Sequence, residues 1–204
     1  MNVKQINMAL GLIGFAATCA LGWFAWRWYD NRYPTWDEEV QLSDGRVIVI
    51  TQKREYYQNY GTNQSWVSFT LPEMGGKRVW HSYLKPMHVD VYQNTVYVFG
   101  RPRGPKQVAY YQYPKYLMVA FKWNGVDFER VPFSQLPETV RQEENIFPCV
   151  PQIRHQFFSL TMKNKDWCPP SGDKGQLTKK INLDAYQALA TTYARLDGGS
   201  TISE

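Results

Sequence analysis

Along the chain, hydrophobic positions first run unbroken and later alternate. From Met8 to Trp26 there is no charged residue and one clearly polar one, Thr18. A run of this length at helical rise covers about 28 Å, close to the hydrocarbon thickness of a bilayer. Backbone groups in lipid must pair within the segment, so the run predicts a transmembrane helix. Trp23, Trp26, Trp28, Tyr29 and Tyr33 gather at its C-terminal end, where amphipathic rings suit the headgroup level. The rival reading is a cleaved signal peptide, with Ala20-Leu21-Gly22 as a small-x-small site. Against it, the apolar run continues past that site to Trp26. A lipoprotein signal ending at Cys19 lacks the usual preceding Leu.

Beyond the run the period changes to two. Glu39–Thr51 holds Asp44-Gly45 between apolar stretches, a two-residue hairpin signal. Asn124-Gly125 repeats it between Tyr116–Trp123 and Val126–Val131. Gln93-Asn94 joins Met87–Tyr92 to Thr95–Phe99, with Val89 and Val91 on one face and His88, Asp90 and Tyr92 on the other. Ser65–Leu71 and Arg78–Tyr83 flank Gly75-Gly76. About eight strands joined by short turns predict a mainly β domain: one antiparallel β-sandwich or open barrel. After Pro132 the chain turns polar, then irregular and proline-punctuated. Asn182 is placed to cap a C-terminal helix from Leu183, with Gly198 past its end. Leu183, Tyr186, Leu189, Tyr193 and Leu196 fall near one face, so this helix is expected to pack on the sheet. The organisation read from these patterns is a tip and membrane helix over 1–27, a linker over 28–36, a β-rich domain over 37–197 and a tail over 198–204.

Composition adds little about activity and more about place. Aromatic residues make up 16% of the chain and charged ones 20%, which excludes disorder by composition. A net charge of +5 favours anionic neighbours without implying nucleic acid, and none is expected as a partner. Cys149 and Cys168 lie beyond the anchor and show no zinc-ligand spacing. They read as one disulfide in an oxidising compartment, with two free thiols in a cytosol as the alternative. Lys4 on one flank of the helix and Arg27 and Arg32 on the other leave orientation undecided by charge. The cysteines place the amino terminus in the cytoplasm and the domain in the periplasm, a single-pass protein of a bacterial inner membrane.

Thr35-Trp-Asp-Glu-Glu-Val-Gln-Leu-Ser-Asp-Gly-Arg46, directly behind a membrane helix, resembles the opening of uncharacterised membrane-anchored envelope proteins of proteobacteria. The resemblance covers about a dozen residues and the anchor. It implies an envelope setting and assigns no activity or site.

The sequence holds no nucleophile elbow, P-loop, zinc-protease or dinucleotide motif. His81 and His88 stand an odd number of residues apart, which would put them on opposite faces of a continuous strand. His155 is remote from both. No metal and no cofactor are expected. Asp37-Glu38-Glu39, Asp127 with Glu129, and Glu143-Glu144 read as solvated charge, since nothing along the chain shows two carboxylates flanking one cleft.

Two stretches are candidate recognition surfaces. Tyr56, Tyr57, Tyr60 and Trp66 alternate with amides, a composition suited to stacking on sugar faces; the plain alternative is a polar loop joining two strands. Arg101, Arg103 and Lys106 interleave with Pro102 and Pro105 beside a tyrosine-rich segment, as a hairpin loop that meets anionic lipid or polymer or is simply solvated. The function expected is a membrane-tethered, non-enzymatic domain. It would contact the bilayer through Met8–Trp26 and bind an envelope protein or glycan. The alternatives are an envelope hydrolase using carboxylates or a histidine, and a structural subunit of a membrane complex.

Overall fold

The computed structural model of the chain describes residues 3–57, 61–149, 157–163, 167–168, 173–174 and 179–196. Helix α1 spans Val3–Arg32, 30 residues, or about 45 Å at helical rise. Within it, Leu10–Arg32 is long and apolar enough to cross a membrane and has no buried side of its own. The Met8–Trp26 run is therefore helical, and the helix continues past it. Charge at Arg27, Asp30 and Arg32 ends the apolar stretch, not the helix. Pro34 ends the helix, because proline disfavours helical geometry at the residue before it. Strand β1 opens at Thr35, so the linker expected over 28–36 contracts to Tyr33 and Pro34. The helix end is tied to the domain by Arg32, whose guanidinium lies 2.7 Å from Glu55. The ammonium of Lys53 donates to the Tyr29 hydroxyl at 3.0 Å.

The domain is mainly β. Two sheets face each other, and no barrel closes. β1 (Thr35–Gln41), β2 (Val47–Tyr57), β3 (Gly61–Leu71) and β4 (Gly76–Ser82) form an antiparallel meander. β5 (Lys85–Tyr92), β6 (Thr95–Arg101), β7 (Val119–Trp123) and β8 (Phe128–Val131) form the second. Short helices α2 (Pro105–Tyr110), α3 (Glu138–Arg141) and α4 (Leu160–Lys163) fill connections. Two-residue strands follow: β9 (Glu143–Glu144), β10 (Phe157–Phe158), β11 (Trp167–Cys168), β12 (Asp173–Lys174) and β13 (Lys179–Lys180). β10 extends the first sheet by pairing parallel to β1.

The turns follow their residues. Gln93 and Asn94 both adopt positive φ, 47° and 63°, and Tyr92 pairs with Thr95, so this is the tight two-residue hairpin. The Asp44-Gly45 turn is one residue longer than expected. The Leu42 and Arg46 backbones bond across it, and Gly45 takes φ 88°, a three-residue loop with a glycine bulge. At Asn124 the strands stop at Trp123 and resume at Phe128, because Asn124 Oδ1 accepts from both Val126 and Asp127 and holds a four-residue loop. Asp127 therefore lies in the loop and does not share a strand face with Glu129.

Three layers result. Ile50, Val67, Phe69, Trp80, Val89, Val98 and Val119 fill the space between the sheets. Met87, Phe99, Met118, Ala120, Phe133 and Val140 form a second apolar layer that packs with Leu183 and Tyr186. Helix α5 (Leu183–Leu196) covers that outer face, capped by Asn182 Oδ1 accepting from Ala185 at 3.0 Å. Its buried residues are Ala190 and Ala194. Leu189 and Leu196 point to solvent at 41% and 78% exposure, so the packed stripe is shifted from the expected one. The second sheet is thus covered on both faces, and β5 is buried from Lys85 to Val91. The expected alternation of a buried Val face with an open polar one fails there.

A polar network closes the sandwich on the helix side. Strand β2 sends Ile50, Gln52 and Arg54 inward, apolar first and polar towards α1. Glu38, also fully buried, pairs with the Lys163 ammonium at 2.6 Å, bonds Gln52 and accepts from the Phe147 N–H at 2.9 Å. Lys163 donates further to the Glu39 and Asn145 carbonyls, each at 2.8 Å. Arg54 donates to Gln52 and to the carbonyls of Phe147 and Pro148. Burial pushes the Arg54 guanidinium down to about 9. Glu38 is not the solvated charge expected of it.

Candidate functional site: an aromatic track and its groove

Rings line up across the surface from the membrane helix to the open side of the sandwich. Tyr29 lies against Tyr33 at 5.0 Å between centroids, and Tyr33 against Trp66 at 6.4 Å. Trp66 stacks on His81 at 4.8 Å with 7° between planes. His81 meets Tyr83 at 6.1 Å, Tyr83 meets Tyr110 at 5.2 Å, and Tyr110 meets Tyr111 at 4.9 Å. The track is built from distant segments: the last turns of α1, adjacent strands β3 and β4 whose register sets Trp66 opposite His81, and the end of α2. The Lys53 ammonium lies within 5.1–5.5 Å of Tyr29, Tyr33 and Trp66, a distance at which a cation is drawn to ring faces.

The far end opens into a groove of about 420 Å³. It is lined by His81, Ser82 and Tyr83 from the end of β4, by Tyr110 and Tyr111 from the end of α2, and by Phe121 and Arg130 from β7 and β8. Tyr83 and Tyr110 are 39% and 65% exposed, so their faces are available. Tyr111 is fixed beneath them: its hydroxyl accepts from the Tyr83 N–H at 3.1 Å, and its carbonyl accepts from Arg130 at 2.9 Å. Burial pushes the Tyr111 hydroxyl up to about 12, so it stays protonated. Burial also lowers the His81 pKa, which favours its neutral form, and the ring bonds Gln64 at 2.9 Å. Among the described residues the lining contains no carboxylate. Stacking and hydrogen bonding are what this arrangement can do; an acid–base pair is not assembled in it.

The other histidine–carboxylate contact is sealed. His88 and Asp90 lie 3.5 Å apart, 4% and 0% exposed, with His88 stacked on Phe99 at 5.0 Å. His81 and His88 stand on different sheets, not on one strand. His155 lies outside the described residues. Among the described residues there is no group of three or more His, Cys, Asp and Glu placed to hold a metal ion.

The residues singled out in the sequence divide. Trp66 sits in mid-track. Tyr56 pairs with Thr62 after a bulge, so this stretch is the two arms of the β2–β3 hairpin more than a loop. The side chains of Tyr57 and Tyr60 lie outside the described residues. Arg101, Arg103 and Lys106 do not form a hairpin loop. Arg101 ends β6 with its guanidinium 5.6 Å from the Tyr186 ring, Arg103 lies exposed with its N–H bonded to Gln107, and Lys106 is exposed on α2. Glu129 makes an exposed pair with Lys122 at 2.9 Å. Cys19 is a free thiol, and Cys149 is engaged. The Cys168 side chain lies outside the described residues.

His81 and Tyr83 were not legible as part of a site, because their spacing obeys no motif; Tyr110 and Tyr111 stood out only within the tyrosine-rich segment beside the basic residues. Comparison with protein-family models, curated proteins and solved structures finds no match.

Proposed function

We propose that this chain is a membrane-tethered, non-enzymatic binding domain of the bacterial envelope. Helix α1 anchors it in the inner membrane, the sandwich stands in the periplasm, and the aromatic groove holds a glycan partner. The observation that carries this reading is the continuous track of rings ending in an open groove without an acid–base pair. Rigid, polar-tipped rings give large contact area at low entropic cost, and Tyr83 and Tyr110 present such faces beside the Arg130 guanidinium. Pairing of Cys149 with Cys168 belongs to the same proposal. Its support is that Cys149 is bonded and not a free thiol.

Two experiments test it. The full chain should stay in the membrane after carbonate washing, whereas a soluble product beginning near Trp23 would mean a cleaved signal. The full chain in an uncharged detergent should co-sediment with purified peptidoglycan sacculi. The Tyr83→Ala/Tyr110→Ala variant should lose roughly tenfold or more in affinity, since truncating central aromatic anchors costs at least about 2 kcal/mol at a binding surface. Equal sedimentation of parent and variant would refute the groove as the binding site.

A further inference from the structure

Lys85 stands at the head of β5 and is only 9% exposed. Its ammonium makes no hydrogen bond or ion pair with any described residue, and it is not among the sealed side-chain atoms, so it keeps a narrow contact with solvent. Its cross-strand partner on β6 is Arg101, and like charges set directly opposite repel. The β2–β3 arm brings a third cation. Arg54 pairs with Ser65, whose hydroxyl donates to the Leu84 carbonyl at 2.8 Å. Arg54 and Arg103 both act on Lys85 electrostatically, and Glu144 opposes them without forming an ion pair among the described residues. The hydrogen bonds of Arg54 go to neutral acceptors, and the acid that acts on it, Glu38, is already paired with Lys163. The backbone is closed tightly here: a side chain at Gly100 would meet the Lys85 carbonyl at 2.5 Å. The Lys85 backbone is therefore held close against β6.

A lysine drawn this far out of water without a carboxylate partner is costly, and the three neighbouring arginines compound that cost. An anion entering beside Lys85 would remove it. We propose that Lys85, Arg101 and Arg103, backed by Arg54, form a binding site for a phosphate group. Lys85 supplies a point charge at the base, Arg101 the opposite wall and Arg103 the exposed rim. Lys106 is no part of it. The shared chemistry is a phosphate monoester or diester, carried either by a soluble compound or by a phospholipid headgroup. The second source is within reach of the geometry, because Arg54 lies one residue from Glu55, the anchor of the helix end.

The test uses the full chain in maltoside micelles and isothermal titration with inorganic phosphate against chloride at equal ionic strength. Saturable binding to the parent is expected. Lys85→Met should weaken it by about tenfold or more, the scale of one lost charge-assisted bond. Arg103→Gln, on the exposed rim and safe for folding, should weaken it severalfold, and Lys106→Gln should not change it. A second arm repeats the titration in nanodiscs of phosphatidylcholine with and without phosphatidylglycerol. Loss of phosphate uptake only with phosphatidylglycerol assigns the site to a lipid headgroup; unchanged uptake assigns it to a soluble phosphate. Absence of saturable binding in the parent, or equal binding by the parent, Lys85→Met and Arg103→Gln, overturns the proposal.

Discussion

Among the described residues two lysines are buried, and the fold treats them oppositely. Lys163, 2% exposed, meets a carboxylate at 2.6 Å and two carbonyls at 2.8 Å. Every proton of its ammonium has an acceptor, and the same network fastens Asn145, Phe147 and Lys163 to β1 and β2. Lys85, 9% exposed, faces an arginine and donates to none of the described residues. The first arrangement is what a structural charge requires: a partner, then hydrogen bonds for what the partner leaves over. The second has the opposite form and marks a place where the fold itself is incomplete.

The largest effect should come from breaking the complete site. Lys163→Met leaves Glu38 charged and buried, and should destabilise by about 3–5 kcal/mol, read as a drop in the urea midpoint. Asn145→Ala comes next. Its side chain accepts from the Val89 N–H and donates to the Gln41 and Val89 carbonyls, so it joins the two sheets. Its loss should cost about 1–3 kcal/mol on the same scale. Lys85→Met should move the other way, gaining about 1 kcal/mol in phosphate-free buffer, because an unpaired buried charge is exchanged for an apolar side chain. A loss comparable to that of Lys163→Met would erase the distinction between the two sites. At the small end, Lys122→Gln breaks only the exposed pair with Glu129 and should leave the midpoint unchanged.

Dependence on pH sharpens the contrast. Burial first, then Arg101 and Arg54, push the Lys85 pKa well below the ordinary lysine value of 10.5, with Arg103 acting the same way and Glu144 opposing. Below its native pKa, Lys85 is protonated folded and unfolded, and the folded state bears the cost. Between that pKa and 10.5 the unfolded chain binds more protons, so stability rises with pH. The rise attributable to Lys85 is the difference between the parent and Lys85→Met in denaturant midpoints measured across this window. Any rise belonging to Arg54 remains in both.

What the sequence disclosed was local. The apolar run of α1, the Gln93-Asn94 turn, the Asn182 cap and the succession of hairpins each depend on neighbours within a few residues. The end of α1 at Arg32 was hidden because charges mark the edge of the apolar stretch while Pro34 marks the end of the helix. The fates of Glu38 and Lys85 were hidden for a different reason. Glu38 finds Lys163 more than a hundred residues away, and β5 is buried on both faces only because α5 and the 133–140 segment cover the second sheet. Polar alternation along β5 therefore looked like exposure. The aromatic track draws on α1, two strands and α2, and no window of sequence contains it.

The protonation of Lys85 itself tests the contrast most directly. Nuclear magnetic resonance of the lysine side chains in the full-length protein, with the Lys85 signal assigned by its loss in Lys85→Met, follows that single group. Without phosphate its titration midpoint should lie well below 10.5; saturating phosphate should raise it, because proton and anion must strengthen each other when both bind one pocket. A midpoint that phosphate leaves in place would contradict the assignment of Lys85 to an anion site.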